Sequence, residues 1–291
     1  MHIWPDCIHC TLRMSLNIAR AAVKDELKIR KFTEEILKAD YFTGNNWTIT
    51  SPEIIRDIWL IMQKTFGISD PLKIMKAEQN KAALKIYPYA KEFIFKSPDP
   101  FLESLKFAIS GNSIDIMTGS TKKPSKKMIQ TLQGGSIDLR QVEVLKKRLA
   151  GTQRLVYLGD NCGEIVFDKL FMEVILEKYN LEMIFVVKTT PVLNDATKED
   201  ALYAGIDKVA TIINNGISEP IPGTMLEKAS QELIKWINES DLVISKGGGN
   251  YDLLSEEKRL TGKCTFLLQA KCEPYCIIHQ TRIGGLIVHN F

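Results

Sequence analysis

Apolar positions in the first hundred residues recur at helical spacing. Leu12, Leu16, Ile18, Ala19 and Val23 form one stripe, and Ile54, Ile55, Ile58, Trp59, Ile61 and Met62 form another. The second stripe is entered through Ser51-Pro52, a capping residue followed by proline at the first helical position. Ala77, Ala82, Ala83 and Leu84 continue the pattern, and Ser97-Pro98-Asp99-Pro100 breaks it. A further helix is predicted from Phe101 to about Ile109, ending at Ser110-Gly111-Asn112. Residues 120–133 are lysine-rich and weakly apolar, and read as an exposed connector. A helix through Val142, Val144, Leu145 and Leu149 follows, with Gly151 as its stop.

From residue 154 the pattern changes. Short β-branched runs over 155–158, 183–187, 209–213, 242–245, 265–268 and 286–288 predict strands. Helical patterns over 165–179, 198–204 and 225–237 separate most of them, and a shorter helix is predicted after Tyr251. Strands alternating with helices imply right-handed crossovers and a mostly parallel sheet covered on both faces. The fold class is therefore α/β. A length of 291 residues allows about two domains, read as a helical one over 1–100 and an α/β one over 101–291 whose sheet begins at about residue 154.

Composition narrows the function classes. Hydrophobic residues make up 45% of the chain, enough for a sizeable core. With 38 basic and 35 acidic residues the net charge is +3, too balanced to argue for nucleic acid or a membrane surface. No apolar run reaches the roughly 18 residues of a membrane span. Met1-His2-Ile3-Trp4-Pro5-Asp6-Cys7 lacks the pattern of a signal peptide, so a cytoplasmic location is expected. Six cysteines make no disulfide scaffold. Cys7-x-x-Cys10 has the spacing of half a zinc or iron–sulfur site, completed by Cys272 and Cys276 only if the termini meet; such a pair at a helix start is also read as a redox pair or simply two packed thiols. His2, His9, His279 and His289 show no metal-ligand spacing.

The chemistry gathers in loops. Those following parallel strands collect at one edge of the sheet, where open α/β sheets place ligands. The first carries Gly159-Asp160-Asn161-Cys162-Gly163-Glu164, the second Lys188 to Asp195, the third Lys246-Gly247-Gly248-Gly249-Asn250-Tyr251, and the fourth Lys271. A nucleotide-binding turn at the first position is ordinarily glycine-rich and uncharged; this one is acidic and calls for a cation. Asn161-x-x-Glu164 fits a helix cap with its reciprocal acid, which leaves Asp160 unexplained. Thr197-x-x-Asp200 is the better capping box near Asp195, which frees Asp195 for function. Hard oxygen donors suit a magnesium- or manganese-like ion, and the lysines and glycine N–H groups suit a phosphate. Together they have the parts of metal-assisted phosphoryl hydrolysis.

GDNCGE (159–164), PVLNDAT (191–197), KGGGNYD (246–252) and AKC (270–272), in this order, resemble the signature of the metal-dependent damage-control phosphatases, also called acidic-residue-methyltransferase-like. The resemblance covers nearly the whole chain. The early Cys-x-x-Cys and the Gly111-Asn112-Ser113-Ile114-Asp115 turn resemble the stand-alone archaeal and prokaryotic branch. It implies a helical N-terminal domain on a three-layer α/β/α sandwich and a divalent metal: Mn2+, Ni2+, Co2+ or Mg2+. The implied metal ligands and catalytic residues are Asp160, Asn161 and Asp195. Implied substrate-binding positions are Lys246, Gly248, Gly249, Asn250 and Lys271 within their motifs, and Asn112 and Asp115 are read as facing the cleft.

The expected function is thus a cytoplasmic, metal-dependent phosphatase of small phosphorylated metabolites, sugar phosphates or damaged nucleotides and their intermediates. Water or Asp160 itself is the nucleophile. Two rivals stand beside it: an S-adenosylmethionine-dependent carboxyl methyltransferase, and a non-catalytic metal- or nucleotide-binding protein. The sequence leaves the oligomeric state open.

Overall fold

The computed structural model describes residues 1–111 and 135–291. Asn112, Asp115 and the connector predicted over 120–133 lie outside the described residues.

Five helices lead: α1 (Pro5–Ala22), α2 (Glu26–Ile36), α3 (Ser51–Phe66), α4 (Lys73–Phe95) and α5 (Pro100–Ser110). The α2 helix, for which the apolar pattern gives no separate stripe, is capped by Asp25, whose carboxylate accepts from Leu27 and Lys28 N–H. The cap of α3 is Thr50 rather than Ser51. Thr50 and Glu53 form a reciprocal box, and Ser51-Pro52 fills the first turn, where a missing N–H costs nothing. Ile18, Ala19, Ile29, Phe32, Ile54, Ile58, Trp59 and Met62 bury the facing sides of α1, α2 and α3. Val192, from the loop after the second strand, is buried in the same cluster. The α4 helix continues through Pro88, and its Ala83, Ile86, Ala90 and Ile94 pack towards the sheet.

After α6 (Leu139–Ala150) comes β1 (Arg154–Leu158) and the sheet proper. It continues with α7 (Glu164–Lys178), β2 (Glu182–Val187), α8 (Lys198–Ala204), β3 (Thr211–Asn214), α9 (Gln231–Glu239), β4 (Leu242–Lys246), α10 (Gly247–Leu254), β5 (Cys264–Gln269), α11 (Glu273–Ile278) and β6 (Leu286–Asn290). Strand order is β3-β2-β1-β4-β5-β6, parallel except for β6, which runs antiparallel to β5.

Period-two alternation divides the strand residues between two cores. Leu155, Tyr157, Phe185, Leu242 and Ile244 face the layer of α4 to α8. Val156, Leu158, Ile184, Val243 and Phe266 face α9 to α11. The arrangement is a three-layer α/β/α sandwich. Two predicted elements move. A short 3-10 turn takes 206–208, so β3 starts at Thr211. The helix predicted over 225–237 divides into a 3-10 turn, Leu226–Lys228, and α9, capped by Ser230.

Candidate active site

Chain direction across the sheet reverses between β1 and β4. From β1 the chain moves outward to β2 and β3, then returns to β4 on the other side. The carboxyl ends of β1 and β4 therefore border the crevice in which such sheets bind ligands. Asp160-Asn161 leaves β1 there, and Gly247 leaves β4. A Cβ placed on Gly247 would stand 2.0 Å from Asp160 Oδ2, and Gly247 holds φ at +80°. Both facts require glycine at this position.

The loop after β2 is stitched to the loop after β1. Cys162 N–H donates to Asn194 O at 2.8 Å, and Ala196 N–H donates to Asp160 O at 2.8 Å. Asn161 and Asp195 form an antiparallel bridge. These bonds bring Asp160, Asn161 and Asp195 together, and buried Val192 anchors the second loop under the N-terminal helices. Lys188, just past β2, places Nζ 3.4 Å from Asp195 Oδ2 and donates to Gly223 O at 2.5 Å.

Burial dominates the electrostatics. It lifts the Asp160 carboxyl well above the usual carboxylate range, with the charges of Glu164 and Asp195 adding to it and Lys271 and Lys188 opposing. Burial raises Asp195 too, against the pull of Lys188 and the Gly223 N–H. Asp160, Glu164, Asp168 and Asp195 are four buried carboxylates around the switch point, faced by buried Lys188 and Lys246; the charge of a third buried ammonium, Lys76, also reaches Asp195, although Lys76 is paired with Asp70 at 2.6 Å.

Lys246 corrects an expectation. It is read from sequence as a phosphate ligand, yet it has no exposed surface. Its Nζ donates to Glu164 Oε1 at 2.6 Å, Asp168 Oδ1 at 2.5 Å and Ala108 O at 2.8 Å. Burial works against its charge, but the Asp168 and Glu164 carboxylates outweigh burial and push the pKa up. Asp168, which also accepts from Tyr157 OH at 2.7 Å, is raised to about 7, mainly by burial. Three donors' worth of contacts leave this ammonium none for a phosphate. Glu164 is corrected with it. It does not cap α7 reciprocally with Asn161; Gly163 is the N-cap and Glu164 is the counter-ion of Lys246.

Asn250 is fully buried, and its Nδ2 donates to Lys246 O at 2.8 Å and Gly159 O at 3.3 Å, tying the ends of β4 and β1 together, while its Oδ1 has no hydrogen-bond partner. Gly248 and Gly249 sit in the first turn of α10 rather than in a loop. N–H groups of such a turn have no carbonyl partner within the helix. Lys271 is exposed on the turn after β5, with its charge reaching Asp160.

The termini do meet. The amino group of Met1 donates to Asp252 O, and burial raises the Cys272 thiol to about 11, with the charges of Cys7 and Cys10 adding to it. All six cysteines are free. Among the described residues no three histidine, cysteine or carboxylate side chains are grouped to hold a metal by themselves. Beside Asp160 and Asp195 stands an amide, that of Asn161. Lys188, Asp168 and Tyr157 are not anticipated as site residues. Asp168 carries a signal, an acid four residues after Glu164 and so on the same face of the helix.

Fold and site together describe an α/β/α sandwich with an acidic switch point, and comparison with known proteins gives the family. The Damage-control phosphatase ARMT1-like domain profile matches residues 3–285, and the chain belongs to that family. A damage-control phosphatase of Archaeoglobus fulgidus is 31% identical over 295 residues, covering 99% of this chain and 98% of the relative. An uncharacterized protein of Methanocaldococcus jannaschii is 33% identical over 282 residues, covering 94% of this chain and 90% of the relative. The crystal structure of a DUF89 family protein from Pyrococcus horikoshii superposes with a TM-score of 0.87 at 27% identity, covering all of both chains (100%).

Proposed function

We propose that the protein is a metal-dependent phosphatase that hydrolyses phosphate monoesters of small metabolites, either sugar phosphates or damaged nucleotides and their intermediates. The observation that carries this reading is the charge at the switch point. Four buried carboxylates face Lys188 and Lys246, and buried Lys76 has its own partner in Asp70, so ionisation of all of them leaves an excess that a divalent cation balances. Asp160, Asn161 and Asp195 fit such an ion, since two carboxylates and an amide oxygen form a hard donor set suited to Mg2+ or Mn2+ and open to Co2+ or Ni2+. When bound, the ion supplies Lewis-acid polarisation of a phosphoryl oxygen.

The chain supplies the rest. The first-turn N–H groups of α10, at Gly247, Gly248 and Gly249, donate to phosphate oxygens without side chains in the way. Lys271, exposed and electrostatically coupled to Asp160, draws the anionic substrate in and holds it. Lys188 is a fixed positive charge that keeps Asp195 in place. Asp160 against Gly247 fills the crevice with an acid, which favours a cation over S-adenosylmethionine there. The names of the archaeal relatives support the phosphatase reading.

The test is phosphate release over a panel of sugar phosphates and nucleotides. The chelator-stripped protein is assayed with Mg2+, Mn2+, Co2+ or Ni2+ added back. Release restored by at least one ion is expected. Mn2+ binding with no release from any ester rejects the phosphatase reading, and calorimetric binding of S-adenosylmethionine favours the methyltransferase instead.

A further inference from the structure

We infer that Glu164 is a positioning residue that orients the Asn161 amide so that its oxygen faces the cation, and that Lys246 holds Glu164 for this task. The inference rests on the metal reading above. Asn161 Nδ2 donates to Asp160 Oδ2 at 2.6 Å and to Glu164 Oε2 at 3.5 Å. Ionised carboxylates only accept. Turning the amide over would set Oδ1 against two acceptors, so the NH2 edge is locked towards the acids. Oδ1, the edge that can ligate a hard cation, is turned away from both.

Glu164 has little freedom of its own. Its Oε1 takes Lys246 Nζ at 2.6 Å, and Lys246 is fixed in turn by Ala108 O and Asp168 Oδ1 at 2.8 and 2.5 Å. Tyr157 OH secures Asp168 at 2.7 Å. A Cβ on Gly111 would lie 3.2 Å from Glu164 Cα, so the end of α5 closes tightly over this network. The chain of contacts runs Tyr157, Asp168, Lys246, Glu164, Asn161, and every member is buried. A helix cap does not explain it, because Gly163 is the cap. Stability alone does not explain it either, because a buried ion pair is weak evidence of net stabilisation.

The experiment is Mn2+ titration of the metal-stripped full chain by calorimetry, with thermal melting and steady-state kinetics alongside. In Glu164→Gln, Lys246 takes the new amide oxygen and keeps Asp168 as counter-ion. The new NH2 then meets the NH2 of Asn161, which keeps Asp160 Oδ2 as its one acceptor and loses the second contact that fixes its tilt. The Kd for Mn2+ is expected to rise about 10–100-fold, the usual effect of losing a partner that orients a ligand. At saturating Mn2+ most of kcat returns. Glu164→Asp keeps the charge but withdraws it by one methylene, and the same weakening is expected; it serves if Glu164→Gln fails to fold. A folded variant with a lowered melting temperature and parental Mn2+ affinity overturns the inference. A parent that binds no Mn2+ overturns the metal reading and this inference with it, so the two failures are told apart.

Discussion

A Cβ placed on Gly247 would stand 2.0 Å from Oδ2 of Asp160. Strand β4 thus delivers a bare backbone to the spot where strand β1 delivers a carboxylate. Gly247→Ala meets two penalties, a left-handed backbone and displacement of Asp160. Gly262 isolates the first, since its φ is +83° and nothing lies within 4 Å of an added Cβ. Both alanine variants are expected to lose about 1–2 kcal/mol of stability for the left-handed residue. Phosphate release is expected to fall about 100-fold or more in Gly247→Ala alone, as for a reacting group moved by an ångström. Equal activity in the two variants, measured at matched folded fraction, contradicts the placement of Asp160 at the reaction centre.

Asp160→Asn separates function from stability. Burial raises the pKa of this carboxyl, and the charges of Glu164 and Asp195 add to it. Removing one of four buried carboxylates relieves that repulsion. The metal-free variant is expected to be about 1 kcal/mol more stable than the metal-free parent, as when strain at an active site is released. Phosphate release is expected to vanish at every Mn2+ concentration. Thermal melting in chelator and a release assay check the two halves. A variant that keeps parental turnover refutes the site.

Part of this site was legible in the chain. Short β-branched runs separated by helical stripes fix a parallel sheet, and the parallel sheet alone brings the loops after 158 and 187 to one edge. The convergence of Asp160, Asn161 and Asp195 follows from that, and their reading as metal ligands rests on the family resemblance. Lys246 was misread because a lysine beside glycines resembles an anion loop. Strand parity carried the better answer: Leu242 and Ile244 lie under α7, so the residue two further on points there too. The triple glycine reads as a turn because glycine is a poor helix former. Packing overrides propensity at this point. Added Cβ atoms on Gly248 and Gly249 would stand 2.6 Å from Tyr275 Oη and 3.2 Å from Gly223 N. No local pattern reports contacts between residues that far apart in sequence.

The two lysines assigned one role by sequence are expected to behave in opposite ways. Lys246→Met leaves Glu164 and Asp168 buried without their cation, and breaking a buried pair from one side costs about 3–5 kcal/mol. Lys271→Ala removes an exposed charge and is expected to leave stability within about 0.5 kcal/mol of the parent. Its effect is on the substrate. KM is expected to rise about tenfold, with a shallower dependence on ionic strength, as a steering charge is lost. Denaturant melts and salt-dependent kinetics distinguish the two. A Lys271→Ala enzyme with parental KM at low salt removes Lys271 from the substrate site.

Acid sensitivity is expected where the end of α11 meets β6. His279 and His289 lie with ring centroids 5.3 Å apart, and His279 packs edge-on to Tyr251 at 5.1 Å. Burial, then the neighbouring charge of His289, depresses His279 from 6.5 to about 4. The folded state therefore binds this proton less readily than the unfolded chain does. Its contribution is fully present above the unfolded value of about 6.5 and is lost as the pH falls from there towards about 4. His279→Gln removes the titration while keeping a polar side chain. The variant is expected to show a shallower fall in melting temperature between pH 6.5 and pH 4, with phosphate release at neutral pH unchanged. Parallel melting curves for parent and variant across that window would exclude His279 as the titrating group.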